Sequence, residues 1–287
     1  MTRPPRASTG ASRVRLLGDS DLPAVRDVLR MSPVADVFVA SRVEAGGLEP
    51  WRLGAEMWGH EMDGQLVSVC YAGANLWPVS AGPESLRHYA DRARRQGRRC
   101  ASIVGAAPGV LGLWRHLEPV WGPARDVRPD QPLLAIDGPP DVDPDPAVRL
   151  VRPDQLDILL PACVAMFTEE IGIRPDNGDG GAAYRSRVAE LIAAGRSFAR
   201  IEDGRVLFKA EIGAATATAC QVQGVWVDPS LRGTGLGTAG TAAVVQLARR
   251  YVAPVVSLYV NSFNRSARRA YEKVGFDRIG TFASILF

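Results

Sequence analysis

The stretch of this chain with the most chemical content reads Gly224-Val225-Trp226-Val227-Asp228-Pro229-Ser230-Leu231-Arg232-Gly233-Thr234-Gly235-Leu236-Gly237-Thr238. A β-branched run stops at Asp228-Pro229 and closely spaced glycines follow. A helical pattern then opens at Leu236, with Val244, Leu247 and Ala248 also available for burial. Strand, glycine loop and helix N-terminus together make an anion cradle. Glycines let backbone N–H groups point inward unobstructed, and the helix dipole adds partial positive charge. A pyrophosphate there would accept several charge-assisted hydrogen bonds, each worth about 1.5–3 kcal/mol.

The cradle alone leaves the ligand open. Gly235-Leu236-Gly237-Thr238-Ala239-Gly240 also fits a dinucleotide fingerprint. That reading needs an acidic residue at the end of the next strand, about 20 positions on. The next strand, Val255-Val256-Ser257-Leu258-Tyr259-Val260-Asn261, offers none. No Gly-Lys-[Ser/Thr] follows, which excludes a P-loop. A glycine loop that merely turns the chain stays open.

Arg232-Gly233-Thr234-Gly235-Leu236-Gly237 resembles the Arg/Gln-x-x-Gly-x-Gly/Ala signature of the GNAT N-acetyltransferase superfamily. The preceding Val225-Trp226-Val227-Asp228-Pro229 resembles that family's fourth strand and its exit. Downstream, Asn264, Ala267, Tyr271 and Gly275-Phe276 resemble its last helix and turn. The resemblance implies acetyl-CoA as cosubstrate. Main-chain groups of Val225 and Val227, with Trp226 between them, would bond the pantetheine arm. Arg232, Gly233, Thr234, Gly235, Leu236, Gly237 and Thr238 would hold the pyrophosphate. Asn264 would touch the cofactor arm, and Tyr271 would sit near the thioester sulfur. Tyr271 also fits a plain core aromatic, and Asn264 a helix N-cap.

Direct transfer to an amine needs a neutral amine, a polarised thioester and a proton for the departing thiolate. A thiol with pKa of about 8.5 leaves more easily beside a phenol with pKa of about 10. A main-chain N–H near Val225 would stabilise the oxyanion. No general base is evident. The fifth strand carries Tyr259 where some relatives have glutamate, and the fourth carries Gln221 and Gln223. Glu211, Glu169 and Glu170 are the remaining candidates, each equally readable as a solvated or ion-paired carboxylate. A lysine-like amine costs about 4.6 kcal/mol to neutralise at pH 7, an α-amine only about 1 kcal/mol. A site without a strong base therefore suits a low-pKa amine. The acceptor itself is not legible. The alternative function, from a different class, is a sensor or scaffold that binds acetyl-CoA without turnover.

The elements that position these residues come in two similar series. Each opens with a short strand, Val14–Leu17 or Val148–Val151, and a helix, Leu22–Arg30 or Gln155–Glu170. Each continues with an Asp-Gly hairpin, at Asp63-Gly64 or Asp203-Gly204. Then come a helix, Pro83–Gln96 or Gly235–Arg250, a strand and another helix. In the second half, Gly181–Ala194 is predicted as a helix, and Ala219–Val227 and Val255–Val260 as strands. This is an α+β class: two tandem GNAT-like domains, each a mixed, mostly antiparallel sheet flanked by helices. The proline-rich segment from Ile136 to Pro146 marks the boundary. The expected division is a disordered leader over 1–12, a first domain over 13–137, a linker over 138–146 and a catalytic domain over 147–287. The first domain has Leu76-Trp77-Pro78-Val79-Ser80-Ala81-Gly82-Pro83 where a cradle belongs. It reads as degenerate and without cofactor, like the partner domains of actinobacterial double-GNAT proteins.

The 287 residues, 46% hydrophobic and 23% charged, suit a soluble globular protein. No apolar run approaches the roughly 20 residues of a membrane span, and no secretory signal opens the chain. A cytoplasmic protein without membrane partner is expected; a homodimer is compatible. The net charge is only +3. The basic run from Arg92 to Arg99 lacks aromatic interleaving and reads as a helix end, so no nucleic-acid partner is expected. Cys70, Cys100, Cys163 and Cys220 lie far apart and form no cluster with the three histidines, so no metal is expected.

Overall fold

The computed structural model describes residues 12–175 and 180–287. The expected leader lies outside them, except that Ser12 opens the first strand. The chain forms two compact units. One runs up to Asp130 and adds Thr281–Phe287; the other is Gln131–Gly280.

The first unit comprises β1 (Ser12–Leu16), α1 (Leu22–Arg30), α2 (Val37–Gly46), α3 (Pro50–Leu53), β2 (Glu56–Met62), β3 (Gln65–Ala72), β4 (Asn75–Val79), α4 (Pro83–Gln96), β5 (Ser102–Ala106) and α5 (Ala107–Trp121). Next, β6 (Asp126–Ile136) carries the chain into the second unit. There follow β7 (Arg149–Leu150), α6 (Leu156–Ile171), α7 (Ala182–Ala193), β8 (Ser197–Glu202), β9 (Arg205–Ala215), β10 (Ala219–Val227), α8 (Leu236–Tyr251), β11 (Val255–Tyr259) and α9 (Arg265–Val274). Finally β12 (Asp277–Leu286) returns to the first unit.

The predicted periodicities are realised closely. Both hairpins turn through Asp-Gly pairs with positive φ, 52° and 78° at Asp63-Gly64 and 47° and 73° at Asp203-Gly204. This is the turn whose twist matches paired strands. The sequence reading missed α2 and α3. Around them, Gly47 and Gly54 turn the chain with φ of 68° and 70°.

The sheet order in the first unit is β1-β2-β3-β4-β5-β12, and in the second β7-β8-β9-β10-β11-β6. Neighbours pair antiparallel except β4 with β5 and β10 with β11, which are parallel. The topology is thus repeated, but the sixth strands are exchanged. Val256–Tyr259 of β11 pair with Leu133–Ile136 of β6, and Phe282–Leu286 of β12 pair with Ser102–Ala106 of β5.

The two units divide between Asp130 and Gln131, ahead of the linker expected at 138–146. Leu134 and Ile136 lie in the apolar core of the second unit, and Leu133 is also buried. The proline-rich segment has no regular structure but is anchored at several points. Asp141 N–H donates to the Val274 carbonyl and Asp145 N–H to the Ala239 carbonyl, both at 2.9 Å. The buried Asp145 carboxylate also accepts from Arg200 at 3.0 Å. Prolines exclude regular structure there, but side chains and isolated amides still anchor it.

The exchange has a testable cost. Phe282, Ala283 and Ile285 are buried to 1% exposure or less, and Phe282 lies edge-on to Trp77 at 5.7 Å. Losing one large apolar side chain from a core costs about 2–5 kcal/mol. Losing two with their ladder approaches the whole 5–15 kcal/mol of a typical domain. A chain ending at Gly280 should lose cooperative folding of its first unit. Tryptophan fluorescence reads this directly, because Trp114 and Trp121 pack on Phe287. An unchanged melt would refute it.

Candidate functional site

The site grows from an irregularity in β10. Gln223 pairs with Glu211 of β9 and Trp226 with Lys209, so Gly224 and Val225 together face only Ala210. Such a bulge bends the strand and frees its backbone locally. Gly224 has φ of 60°. A Cβ there would meet Met166 Cε at 3.0 Å, Lys209 Nζ at 3.1 Å and Glu211 Cδ at 3.2 Å. On the other edge, the parallel ladder with β11 ends at Gln221–Ser257. Val222–Val227 run on without a β11 partner among the described residues.

The loop that follows is tightly organised. Asp228 accepts from the Ser230 amide at 2.9 Å and hydroxyl at 2.6 Å, and from Arg205 Nε at 2.9 Å. These contacts, led by the Ser230 hydroxyl, hold its carboxyl below the usual range. Gly233 and Gly235 have φ of 83° and 95°, a region disfavoured for residues with a Cβ. The amides of Gly233, Gly235, Leu236 and Gly237 donate no hydrogen bond among the described residues. They cluster at the N-terminus of the 16-residue α8, whose first turn carries no acid. The last two glycines have another reason. A Cβ at Gly237 would lie 3.3 Å from Val227, and at Gly240 2.7 Å from the Phe208 ring. They let α8 seat closely on the sheet.

The flanking residues fall on two faces. Phe208, Ala210 and Ile212 of β9 and Cys220 and Val222 of β10 belong to the apolar core shared with α8 and α9. Lys209, Glu211, Gln221 and Gln223 alternate onto the opposite face. Lys209 is 1% exposed, with Nζ 3.2 Å from Glu211 Oε2 and 3.5 Å from Cys163 Sγ of α6. Burial opposes its charge, but Glu211 and Cys163 outweigh it and raise its pKa. Gln223 Nε2 donates to Glu211 Oε1 at 3.0 Å, while the Gln221 amide nitrogen is buried without a partner among the described residues. Sequence reasoning missed Lys209. Its signal is a Lys-x-Glu pair inside the otherwise apolar run 206–215.

Tyr271 lies on α9 in the apolar core, 7% exposed, with its ring 6.0 Å from Phe276. Burial, and then the charge of Glu170, push its pKa up. Its hydroxyl makes no hydrogen bond among the described residues. Val274 belongs to that core and Ala267 packs against it, both on the helical face of Tyr271. Asn264 is the α9 N-cap, its Oδ1 accepting from Ala267 N–H at 3.1 Å. Asn264 itself is exposed. Glu169 bridges two of the expected site residues, accepting from Arg232 at 2.7 Å and from Trp226 Nε1 at 3.3 Å. Arg232 also donates Nε to the Val227 carbonyl at 3.1 Å.

Among the described residues, the first unit has no equivalent of this loop. Between β4 and α4 it has only Ser80-Ala81-Gly82, and Pro83 at the first helical position has no N–H. The basic run ends α4, where Arg92 pairs with Glu56 and stacks on Trp58. All four cysteines are buried and unpaired. No helix among the described residues is long and apolar enough to cross a membrane.

Two family models match the sequence: the acetyltransferase (GNAT) family over residues 177–276, and a domain of unknown function, DUF4081, over residues 55–159. A search of curated proteins found no match. Among solved structures, a GNAT-family acetyltransferase from Colwellia psychrerythraea is 14% identical, covering 96% of this chain and 99% of that one, with a TM-score of 0.55. A tandem GNAT protein from the clavulanic acid biosynthesis pathway is 13% identical over 96% and 98%, with a TM-score of 0.56. A GCN5-related N-acetyltransferase from Sphaerobacter thermophilus is 19% identical over 96% and 95%, with a TM-score of 0.55. Such identities speak to fold alone. The fold is that of tandem GNAT proteins, and residues 177–276 belong to the GNAT acetyltransferase family.

Proposed function

We propose that the second unit binds acetyl-CoA and moves its acetyl group directly to an amine. The observation that carries this reading is the set of open amides at Gly233, Gly235, Leu236 and Gly237, beside a bulged strand that has parted from its neighbour. The amides, with Thr234, Thr238 and Arg232, bind the pyrophosphate. Binding draws Arg232 from Glu169 toward the phosphates. Val225 and Val227 offer main-chain groups to the pantetheine arm, flanked by Trp226, and Asn264 offers its side-chain amide nitrogen.

The acceptor enters on the face of α6 and α7, where Glu211 borders the bulge. Its nitrogen attacks the thioester carbonyl carbon, and a main-chain N–H near Val225 receives the developing oxyanion. As the C–S bond breaks, Tyr271 Oη donates its proton to the thiolate. The amine's surplus proton leaves through Glu211, directly or by water. Glu211 is already engaged by Lys209 at 3.2 Å and by Gln223 at 3.0 Å. The reading therefore favours an amine largely neutral at pH 7, such as an α-amine.

A second reading, binding without turnover, draws on the existing pairings of Glu169 with Arg232 and Glu211 with Lys209. Thiol release from acetyl-CoA with a panel of amines separates the two. Amine-dependent release, greatest for amines of low pKa, is expected. Tight binding of CoA with no release for any amine would favour the sensor.

A further inference from the structure

Outside the loop, the molecule's most chemically pointed cluster lies in the first unit. The chain has three histidines, and two of them meet there. His60 comes from β2 and is fully buried; Glu84 and His88 stand one turn apart on α4 and are partly exposed. The imidazole rings are 5.1 Å apart. One ligand atom from each of the three residues lies within 4.8 Å of the others. Ser12 Oγ bridges the rings, 2.9 Å from His60 Nε2 and 3.3 Å from His88 Nε2. On its far side His60 Nδ1 meets the buried Ser85 hydroxyl at 2.8 Å.

We propose that His60, Glu84 and His88 bind one divalent first-row transition ion of the zinc class, a site separate from the acetyl-transfer loop. Two imidazoles and a carboxylate are a borderline donor set suited to zinc or cobalt, with the fourth position left to water or the Ser12 hydroxyl. The outer partner has the form such sites use. With the Nδ1 proton donated to Ser85, His60 presents its Nε2 lone pair to the other two ligands. Around one tetrahedral ion, ligand atoms about 2.0–2.2 Å from the metal stand roughly 3.4 Å apart. The cluster must therefore contract by up to about 1.4 Å. His60 is fixed by packing, while Glu84 and His88 are half-exposed and can rotate inward. Ser12 moves off the two nitrogens as the ion replaces its hydroxyl between them. The ion would clamp the head of α4 to β2, stabilising the folded chain by mass action. The sequence hid this site because 24 to 28 positions separate His60 from its partners, and no short metal-binding spacing links them.

The test is cobalt(II) titration of the full chain, followed by visible d–d absorption and zinc competition. One cobalt per chain, displaced by zinc, is expected. His88→Ala and Glu84→Gln each remove a ligand and should weaken binding at least about 100-fold. Ser85→Ala removes only an outer partner and should cost roughly 10- to 100-fold. Circular dichroism checks folding; should His88→Ala not fold, Glu84→Gln decides. Zinc should also raise the melting temperature of the unaltered chain and not of Glu84→Gln. Failure to bind cobalt at micromolar concentration, or equal affinity in the folded ligand variants, would overturn the site.

Discussion

Tyr271→Phe should lower acetyl transfer by roughly 10²–10³ while leaving CoA affinity and melting temperature nearly unchanged, the range expected for a positioned general acid. The ring sits in the core and packs on Phe276, and phenylalanine keeps both contacts. The hydroxyl has no partner among the described residues, so its removal strands no buried donor or acceptor. What is lost is a proton. Burial and Glu170 raise the pKa of this phenol, so it remains protonated across the neutral range and can donate. Steady-state kinetics with the best amine from the acceptor screen, alongside CoA calorimetry, checks this. A variant with full turnover removes Tyr271 from the chemistry and leaves it a core aromatic. The cofactor loop would be untouched by that outcome.

Gly235→Asp should abolish measurable CoA binding. Two effects add at this position. With φ of 95°, any Cβ strains the backbone by about 1–2 kcal/mol. The carboxylate then brings negative charge to the N-terminus of α8, where the diphosphate needs the open amides. Folding should survive, because a Cβ there meets nothing within 4 Å. Gly235→Asn separates the effects. Asparagine tolerates left-handed backbone and carries no charge, so it should bind CoA more weakly than glycine but far better than aspartate. Equal CoA affinity in Gly235→Asp and the unaltered chain, by calorimetry, would remove the loop from cofactor binding.

Legibility of the sequence followed the range of the interactions. Elements with a strong local period were readable nearly to the residue: Pro83–Gln96 and Ala219–Val227 have the predicted bounds, and both Asp-Gly hairpins turn as expected. So was the glycine loop, whose positive φ values constrain residue type directly. The exchange of β6 and β12 was not readable. A strand pattern says that a segment pairs, not with which neighbour, and Thr281–Phe287 would suit either sheet equally well. The anchoring of the proline-rich segment was not readable for a related reason: its prolines show only that it forms no regular element, while Asp141 and Asp145 are pinned to α9 and α8 by contacts distant in sequence. Lys209, Glu211 and Gln223 look like ordinary polar residues in sequence. Only the bulge at Gly224 makes their packing beneath α6 meaningful.

The exchanged strand also sets an order on synthesis. β5 ends at Ala106, yet its partner in the sheet begins pairing at Phe282, about 175 residues later. At a typical elongation rate of about 5–20 residues per second, the first unit waits roughly 9–35 s for its last strand. During that interval the far edge of β5 is unpaired and hydrophobic, the kind of surface that nascent chains on neighbouring ribosomes can join. The second unit has no such delay, because β6 emerges before β11. A chaperone that shields the β5 edge should therefore raise the yield of folded protein more than one acting after release.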